Sequence, residues 1–218
     1  MSERVATTAG LYPLPDWAKD ELSELKGHQK HDLISGQEGP EVRAAYERVR
    51  EELVDDQRDA GLDRIVEGQG RWDDFLAHPL TVHDNVETGG IVRYYDNNNF
   101  YRDPQVVGEL TVDGDVAAEL DAATALLEEG DDLQAVLPGP YTLARLATDE
   151  HYGDEAEFLA AVSEFLAAEV EAFPAHETLW LNEPSLVTDA PDEDLQEHAS
   201  KAIDAVAAAT EAEVVVNS

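Results

Sequence analysis

Short apolar runs alternate with longer amphipathic segments along most of this 218-residue chain. Strand-like runs are separated by stretches whose apolar side chains recur at helical spacing, as on one face of residues 40–59. This alternation favours an α/β fold built from parallel β/α units. A (β/α)8 barrel and a doubly wound sheet share it, so the periodicity alone does not choose between them. We predict strands at residues 5–9, 62–66, 105–110, 133–137, 178–181 and 214–216.

Polar residues, glycines and prolines follow three of the predicted strands at the point where each strand ends. They are Glu67-Gly68-Gln69-Gly70, Pro138-Gly139-Pro140 and Asn182-Glu183-Pro184. In a β/α barrel the active site is built from the loops at these carboxyl ends. We therefore expect a functional site there, with its side chains drawn from segments far apart in the chain.

The chain is strongly acidic, with 49 Asp and Glu against 14 Lys and Arg and a formal net charge of −35. Such a chain repels itself in dilute salt, and the repulsion is screened when the Debye length falls to about 3 Å near 1 M salt. The composition predicts adaptation to high salt, as in haloarchaea; an ordinary acidic protein is the alternative. The same charge argues against a nucleic-acid partner.

Cysteine is absent from the sequence. This excludes disulfides, thiolate nucleophiles and every metal site that uses a cysteine ligand. No apolar stretch approaches the ~20 residues of a membrane span, and the N-terminus lacks the apolar region of a secretory signal. The sequence therefore predicts a soluble, cytoplasmic protein with no membrane association.

Four segments, in order and at characteristic spacing over residues 7–187, resemble the cobalamin-independent methionine synthase family. They are Thr7–Pro13, Glu67–Asp73, Leu137–Thr142 and Leu181–Leu186. The resemblance implies a TIM (β/α)8-type barrel occupying residues 1–218 as a single domain. About six strands are visible against the eight of that fold. We therefore expect an incomplete barrel, whose C-terminal strands are missing or whose closure depends on something else.

The family enzyme has two similar barrels, of which the C-terminal one holds zinc and homocysteine. Residues 96–104, from Asp96 to Pro104, resemble a stretch of the metal-free N-terminal copy. The chain shares traits with both copies and leans toward the N-terminal type.

The family reaction moves a methyl group from a folate-type or corrinoid donor to the thiol of homocysteine. Its zinc is held by His, two Cys and Glu from late strands, so this chain is not expected to bind the metal. The resemblance implies methylfolate or methylcorrinoid and homocysteine as small-molecule substrates. It predicts zinc only in the complete catalytic barrel, with a cysteine-bearing paralogue as a possible partner.

The resemblance also points to individual site residues. Where the family holds the substrate ammonium with two carboxylates, this chain has Gln69 and Asn182, which keep hydrogen bonds but lose both charges. The alternative is that both amides are satisfied polar residues at strand ends. Arg71 would pair with Asp73, or would contact a substrate carboxylate or a polyglutamate tail. Glu183 would meet a pterin ring.

Aromatic residues near these motifs could stack on a pterin or belong to the core; they are Trp72, Tyr94, Tyr95, Phe100, Tyr101 and Trp180. Asn98 lies in a predicted turn and is a further candidate ligand. Two functions stay open: a methionine synthase family methyltransferase or a component of it, and a non-catalytic barrel that binds a pterin or a partner. Uroporphyrinogen decarboxylase and corrinoid methyltransferase barrels share the architecture but fit the motifs less well.

Overall fold

A computed structural model describes residues 4–22, 39–72, 74–95, 98–112 and 115–218. The helices are α1 Asp16–Glu21, α2 Pro40–Asp59, α3 His78–Thr81, α4 Asp115–Thr124, α5 Pro140–Leu146, α6 Glu155–Glu171, α7 Ser185–Thr188 and α8 Gln196–Ala207. The strands are β1 Arg64–Val66, β2 Val86–Arg93, β3 Phe100–Val106, β4 Asp132–Pro138, β5 Thr148–Asp149, β6 Thr178–Asn182 and β7 Glu213–Asn217.

The main sheet is parallel, with strand order β1-β4-β6-β7. Its strands follow one another in chain order across the sheet, which is the arrangement of consecutive β/α units. The predicted α/β class is therefore confirmed, as are the four predicted strands that correspond to β1, β4, β6 and β7. The order is consistent with a (β/α)8 barrel, although in the part of the chain that the structure describes the sheet remains open.

The core lies between this sheet and helices α4 and α6. Leu133 and Leu137 of β4 and Leu179 and Leu181 of β6 belong to one buried cluster with apolar residues of these helices, including Phe165. Alternate side chains of the strands face the opposite way, as the two-residue period requires. Gln134, Val136 and Trp180 lie on that second face.

A second sheet has strand order β2-β3-β5, with β2 and β3 forming an antiparallel hairpin. The predicted strand at residues 105–110 was therefore wrong: β3 ends at Val106 and lies outside the parallel sheet. The register of the hairpin shifts between Thr88 and Ile91, across Gly89 and Gly90. Glycine in a strand marks such irregularities and breaks the alternation by which a strand is predicted, so β2 was missed.

The predicted strand at residues 5–9 is also absent as a strand. This segment runs beside β1, where Ala6 C=O accepts a hydrogen bond from Asp63 N–H at 2.8 Å. Gln134 Nε2 of β4 donates to Thr8 C=O at 2.7 Å. The segment is thus held by isolated contacts rather than by a ladder. None of the helices seen in the described ranges is long and apolar enough to cross a membrane.

Candidate active site

The carboxyl ends of the parallel strands meet at one edge of the main sheet. Backbone hydrogen bonds join neighbouring strand ends: Gly139 N–H donates to Asn182 C=O at 2.8 Å, and Glu183 N–H donates to Asn217 C=O at 2.7 Å. On the other side, Tyr12 N–H donates to Gly68 C=O at 3.1 Å. The three strand-end motifs predicted from sequence therefore form one continuous edge, which we call the strand-end edge.

Gln69 crosslinks this edge through its side-chain amide. Its Oε1 accepts from Leu11 N–H at 2.8 Å, and its Nε2 donates to Val136 C=O at 3.0 Å. The residue is buried and has a left-handed backbone with φ +56°. A Cβ at Gly10 would collide with the same amide, so the close approach requires glycine there. One amide hydrogen stays outside these bonds, and substrate contact by Gln69 remains a prediction.

Asn182 lies half-buried at the end of β6, on the face of the sheet that carries Trp180. Its Oδ1 accepts from Trp180 Nε1 at 3.1 Å and from Asn217 Nδ2 at 2.9 Å. Two amides and an indole therefore stand together at the strand-end edge. Asn217 was not predicted, yet its position after Val214–Val216 mirrors that of Asn182 after its own strand. The β6–β7 register pairs the two asparagines.

Glu183 is fully buried and holds the N-terminus of α5. Its carboxylate accepts from Tyr141 N–H at 2.9 Å and from Thr142 N–H at 2.7 Å. The first amides of a helix have no intrahelical partner and favour an anion. Burial raises the pKa of Glu183, while these hydrogen bonds oppose the shift. Both carboxylate oxygens of Glu183 already accept hydrogen bonds from the protein. Only their remaining lone pairs are available for the predicted contact with a pterin.

We expect Glu183→Ala to lower the free energy of unfolding by about 2–4 kcal/mol, because it leaves two buried N–H groups without acceptors. Urea unfolding in concentrated KCl measures this change. Glu171→Ala is the matched control, since Glu171 is exposed at the end of α6, and it should shift stability by less than about 0.5 kcal/mol. Equal losses in the two variants would contradict the helix-capping role.

Arg71 pairs with Glu119 of α4 at 2.7 Å. Its predicted partner Asp73 lies outside the described residues. Glu119 is buried and also accepts a hydrogen bond from Trp72 Nε1 at 2.6 Å. His78 Nε2 lies 3.4 Å from Glu119 Oε1. Burial alone would raise the pKa of Glu119, but His78, Arg71 and Trp72 outweigh it and lower the pKa to about 2. Glu119 is therefore an anion that neutralises Arg71 from behind the strand-end edge.

Trp72 belongs to the core rather than to an open stacking surface. Its ring stacks on His78 with centroids 4.9 Å apart and an interplanar angle of 17°, and its side chain is buried. Behind it, Glu67 binds Arg50 at 2.7 Å and accepts from Gln69 N–H at 2.6 Å. Burial raises the pKa of Glu67, and Glu119 raises it further, while Arg50 lowers it. This buried charge network was not predicted, because nothing local in the sequence joins α2, β1 and α4.

One cavity is lined by three of the remaining predicted aromatic residues, Tyr94, Phe100 and Tyr101. This cavity of about 240 Å³, which we call the aromatic pocket, is lined by Leu11, Asp74, Phe75, Leu76, Tyr94, Asn99, Phe100 and Tyr101. Burial is the main cause that raises the pKa of Tyr94 and of Tyr101 to about 12, so both phenols are neutral at ordinary pH. Asn98 lies exposed next to this pocket. A second cavity beneath Gln69, of about 20 Å³, has room for a water only.

The residues present do not fit the zinc site of the resembled family. The sequence has no cysteine, so no thiolate ligand exists. Across the described ranges no group of three His, Asp or Glu side chains is arranged to hold a metal ion. Zinc in proteins is bound by just such groups of Cys, His and carboxylate ligands. The site as it stands can position a substrate by amides, an arginine and aromatic rings.

Comparison with known proteins finds methionine synthases that are similar to this chain. It is 21% identical to the methionine synthase of Sulfurisphaera tokodaii over 165 residues, which cover 76% of this chain and 46% of that protein. It is 20% identical to the methionine synthase of Saccharolobus solfataricus over 184 residues, covering 84% and 53%. The chain thus spans about half the length of these relatives.

The fold agrees with that of a solved relative, a B12-independent methionine synthase from Shewanella sp. W3-18-1 in complex with selenomethionine. The TM-score is 0.72 at 17% sequence identity, over 82% of this chain and 52% of that one.

The family model that matches describes the catalytic domain of the cobalamin-independent synthases and covers residues 5–218. The expected leaning toward the metal-free N-terminal copy receives no support from this match, whereas the resemblance to the family as a whole is confirmed. The chain belongs to the family of cobalamin-independent synthase catalytic domains.

Proposed function

We propose that this chain is a component of a methyltransferase that makes methionine from homocysteine. The observation that carries the proposal is the family match over residues 5–218, together with the assembly of its distant motifs on one strand-end edge. In this reaction the homocysteine sulfur attacks the methyl carbon of the donor. A sulfur–carbon bond forms, the bond from the methyl group to the donor breaks, and the thiol proton is lost. The selenomethionine held by the Shewanella relative supports a ligand of this size and chemistry.

The chain's own groups suit binding and orientation. The amides of Asn182 and Asn217 can contact the polar end of an amino acid, and the neutral rings of the aromatic pocket can accept an apolar or flat group beside it. Because Gln69 and Asn182 stand where the family has two carboxylates, we expect ammonium binding here to be weaker than at a carboxylate pair. Methylfolate and methylcorrinoid are the two donor classes that the proposal allows.

Activation of the thiol has no evident source in the described residues, since no cysteine and no ligand cluster is present. We therefore propose that the metal-binding groups come from a cysteine-bearing partner or segment. A zinc ion there would lower the pKa of the homocysteine thiol and supply a thiolate.

A methyl-transfer assay tests the proposal with methyltetrahydrofolate triglutamate and with methylcobalamin as donors. We expect no methionine from the chain alone and methionine from the chain combined with a cysteine-bearing paralogue of the same genome. Asn182→Ala should lower that activity, whereas Gln196→Ala, which removes an exposed amide on α8, should not. Absence of methyl transfer in every combination would refute the enzyme proposal and favour a non-catalytic binding barrel. Activity of the chain alone would refute the need for a partner.

A further inference from the structure

A cavity of about 200 Å³, which we call the arginine cavity, lies between helices α2 and α4. It shares no lining residue with the aromatic pocket. In the whole chain acidic residues outnumber basic ones by 49 to 14, whereas the charged lining of this cavity has equal numbers of each. Its charged lining residues are Arg43, Arg50, Arg71, Glu47, Asp115 and Glu119. An anion is therefore repelled less here than over the rest of this acidic chain.

Arg50 lies almost buried at this cavity, with hydrogen-bond donors that the protein leaves open. Its side chain is 9% exposed, and its Nε donates to Glu67 Oε1 at 2.7 Å. Among the described residues, its terminal nitrogens Nη1 and Nη2 have no acceptor. A guanidinium carries five N–H donors, and nearly buried donors without an acceptor are unfavourable. Because Arg50 lines the cavity, an acceptor can reach its terminal nitrogens from there.

The buried carboxylates around the arginine cavity are engaged elsewhere and do not cover the terminal nitrogens of Arg50. Glu67 contacts this guanidinium only through its Nε. Glu119 divides its two oxygens between Arg71 Nη1 at 2.7 Å and Trp72 Nε1 at 2.6 Å. Each carboxylate therefore balances the charge of one arginine from behind. The outer edge of the Arg50 guanidinium remains available to a ligand.

We propose that the arginine cavity binds an oxyanion, the carboxylate or phosphate group of a small ligand, through the two terminal nitrogens of Arg50. The planar edge of a guanidinium matches two oxygens of such a group. The charges of Arg43 and Arg71 and the N-terminal end of α2 favour the anion. Glu67 joins Arg50 to the strand-end edge, because its other oxygen accepts from Gln69 N–H at 2.6 Å. The site is separate from the proposed methyl transfer.

Ligand-observed NMR on the intact chain in concentrated KCl tests this site, with glutarate as the carboxylate probe and inorganic phosphate as the phosphate probe. We expect saturable binding of at least one probe, with one bound per chain, and the probe that binds identifies the group. Glutaramide, the neutral diamide of similar shape, should not bind. Arg50→Lys should weaken binding by at least about tenfold, because lysine keeps the charge beside Glu67 but cannot offer two parallel N–H groups.

Arg48→Lys is the matched control, because Arg48 is exposed on the same helix and pairs with Glu21 at 3.1 Å; it should change the affinity less than about twofold. Arg43→Gln removes a cavity charge at an exposed position, which a folded chain tolerates, and should weaken binding by at least about threefold. Failure of both probes to bind the wild type would overturn the site. Wild-type affinity in Arg50→Lys or in Arg43→Gln would do the same. None of these measurements needs methyl transfer.

Discussion

The thermal unfolding midpoint should rise by at least about 10 °C between about 0.05 M and about 2 M KCl. The cause is the net charge of −35, whose self-repulsion acts over a Debye length of about 10 Å or more in dilute salt and about 3 Å near 1 M. A domain of this size changes by roughly 2–4 °C per kcal/mol, so the shift corresponds to roughly 3–5 kcal/mol. Circular dichroism across a KCl series measures it.

A charge-reduced variant separates repulsion from the general effect of salt on apolar burial. Glu51, Asp56 and Asp59 are exposed on α2, so Glu51→Gln, Asp56→Asn and Asp59→Asn together remove three charges with little change in shape. We expect this triple variant to unfold at a higher temperature than the wild type in dilute salt and to show a shallower salt dependence. Identical salt slopes in the two proteins would contradict an electrostatic origin. A midpoint that does not rise with salt would contradict adaptation to high salt.

Glu119→Ala should destabilise the chain by about 3–5 kcal/mol, because it leaves Arg71, Trp72 and His78 around a buried gap. Glu119 raises the pKa of the nearby Glu67, so the substitution also removes a charge that repels the Glu67 carboxylate. The loss of this repulsion offsets part of the destabilisation. Urea unfolding at neutral pH and high salt measures the difference. Asp121→Ala is the control on the same helix, since Asp121 is exposed, and it should fall within about 0.5 kcal/mol of the wild type.

The pH dependence of this difference follows from the lowered pKa of Glu119. A carboxyl whose pKa falls on folding stabilises the folded state above its ordinary pKa, near 4.5, and loses that contribution as the pH drops toward about 2. The gap between wild type and Glu119→Ala should therefore be widest above pH 5 and shrink toward pH 2.5. A difference in stability that stays constant over this pH range would show that the negative charge of Glu119 does not stabilise the folded state.

Local patterns were enough to predict the parallel strands and the long helices. Residues 40–59 carry apolar side chains at helical spacing, and the structure has α2 over that range. The runs that became β4, β6 and β7 are short, apolar and bounded by turn residues. The hairpin β2–β3 was not predicted in this way, because Gly89 and Gly90 interrupt the alternation of apolar and polar residues at the register shift.

The candidate site was predictable as a set of positions but not as a set of contacts. The spacing of the motifs predicts that Gln69, Asn182 and Glu183 lie at one edge of the sheet, and the structure has them at the strand-end edge. Their partners come from elements that no local pattern joins. Leu11 and Val136 hold the Gln69 amide, and the first amides of α5 hold Glu183. Such contacts depend on tertiary packing, as does the ion pair between Arg71 and Glu119.

The central claim is that this chain has the family's strand-end site but lacks the family's metal ligands. A measurement of zinc binding by the chain alone tests this claim most directly. Equilibrium dialysis in 2 M KCl, with homocysteine and a weak competing chelator, screens the many surface carboxylates. We expect no stoichiometric zinc on the chain alone and one zinc per complex when the cysteine-bearing partner is added. One tightly bound zinc per chain, retained without any partner, would contradict it.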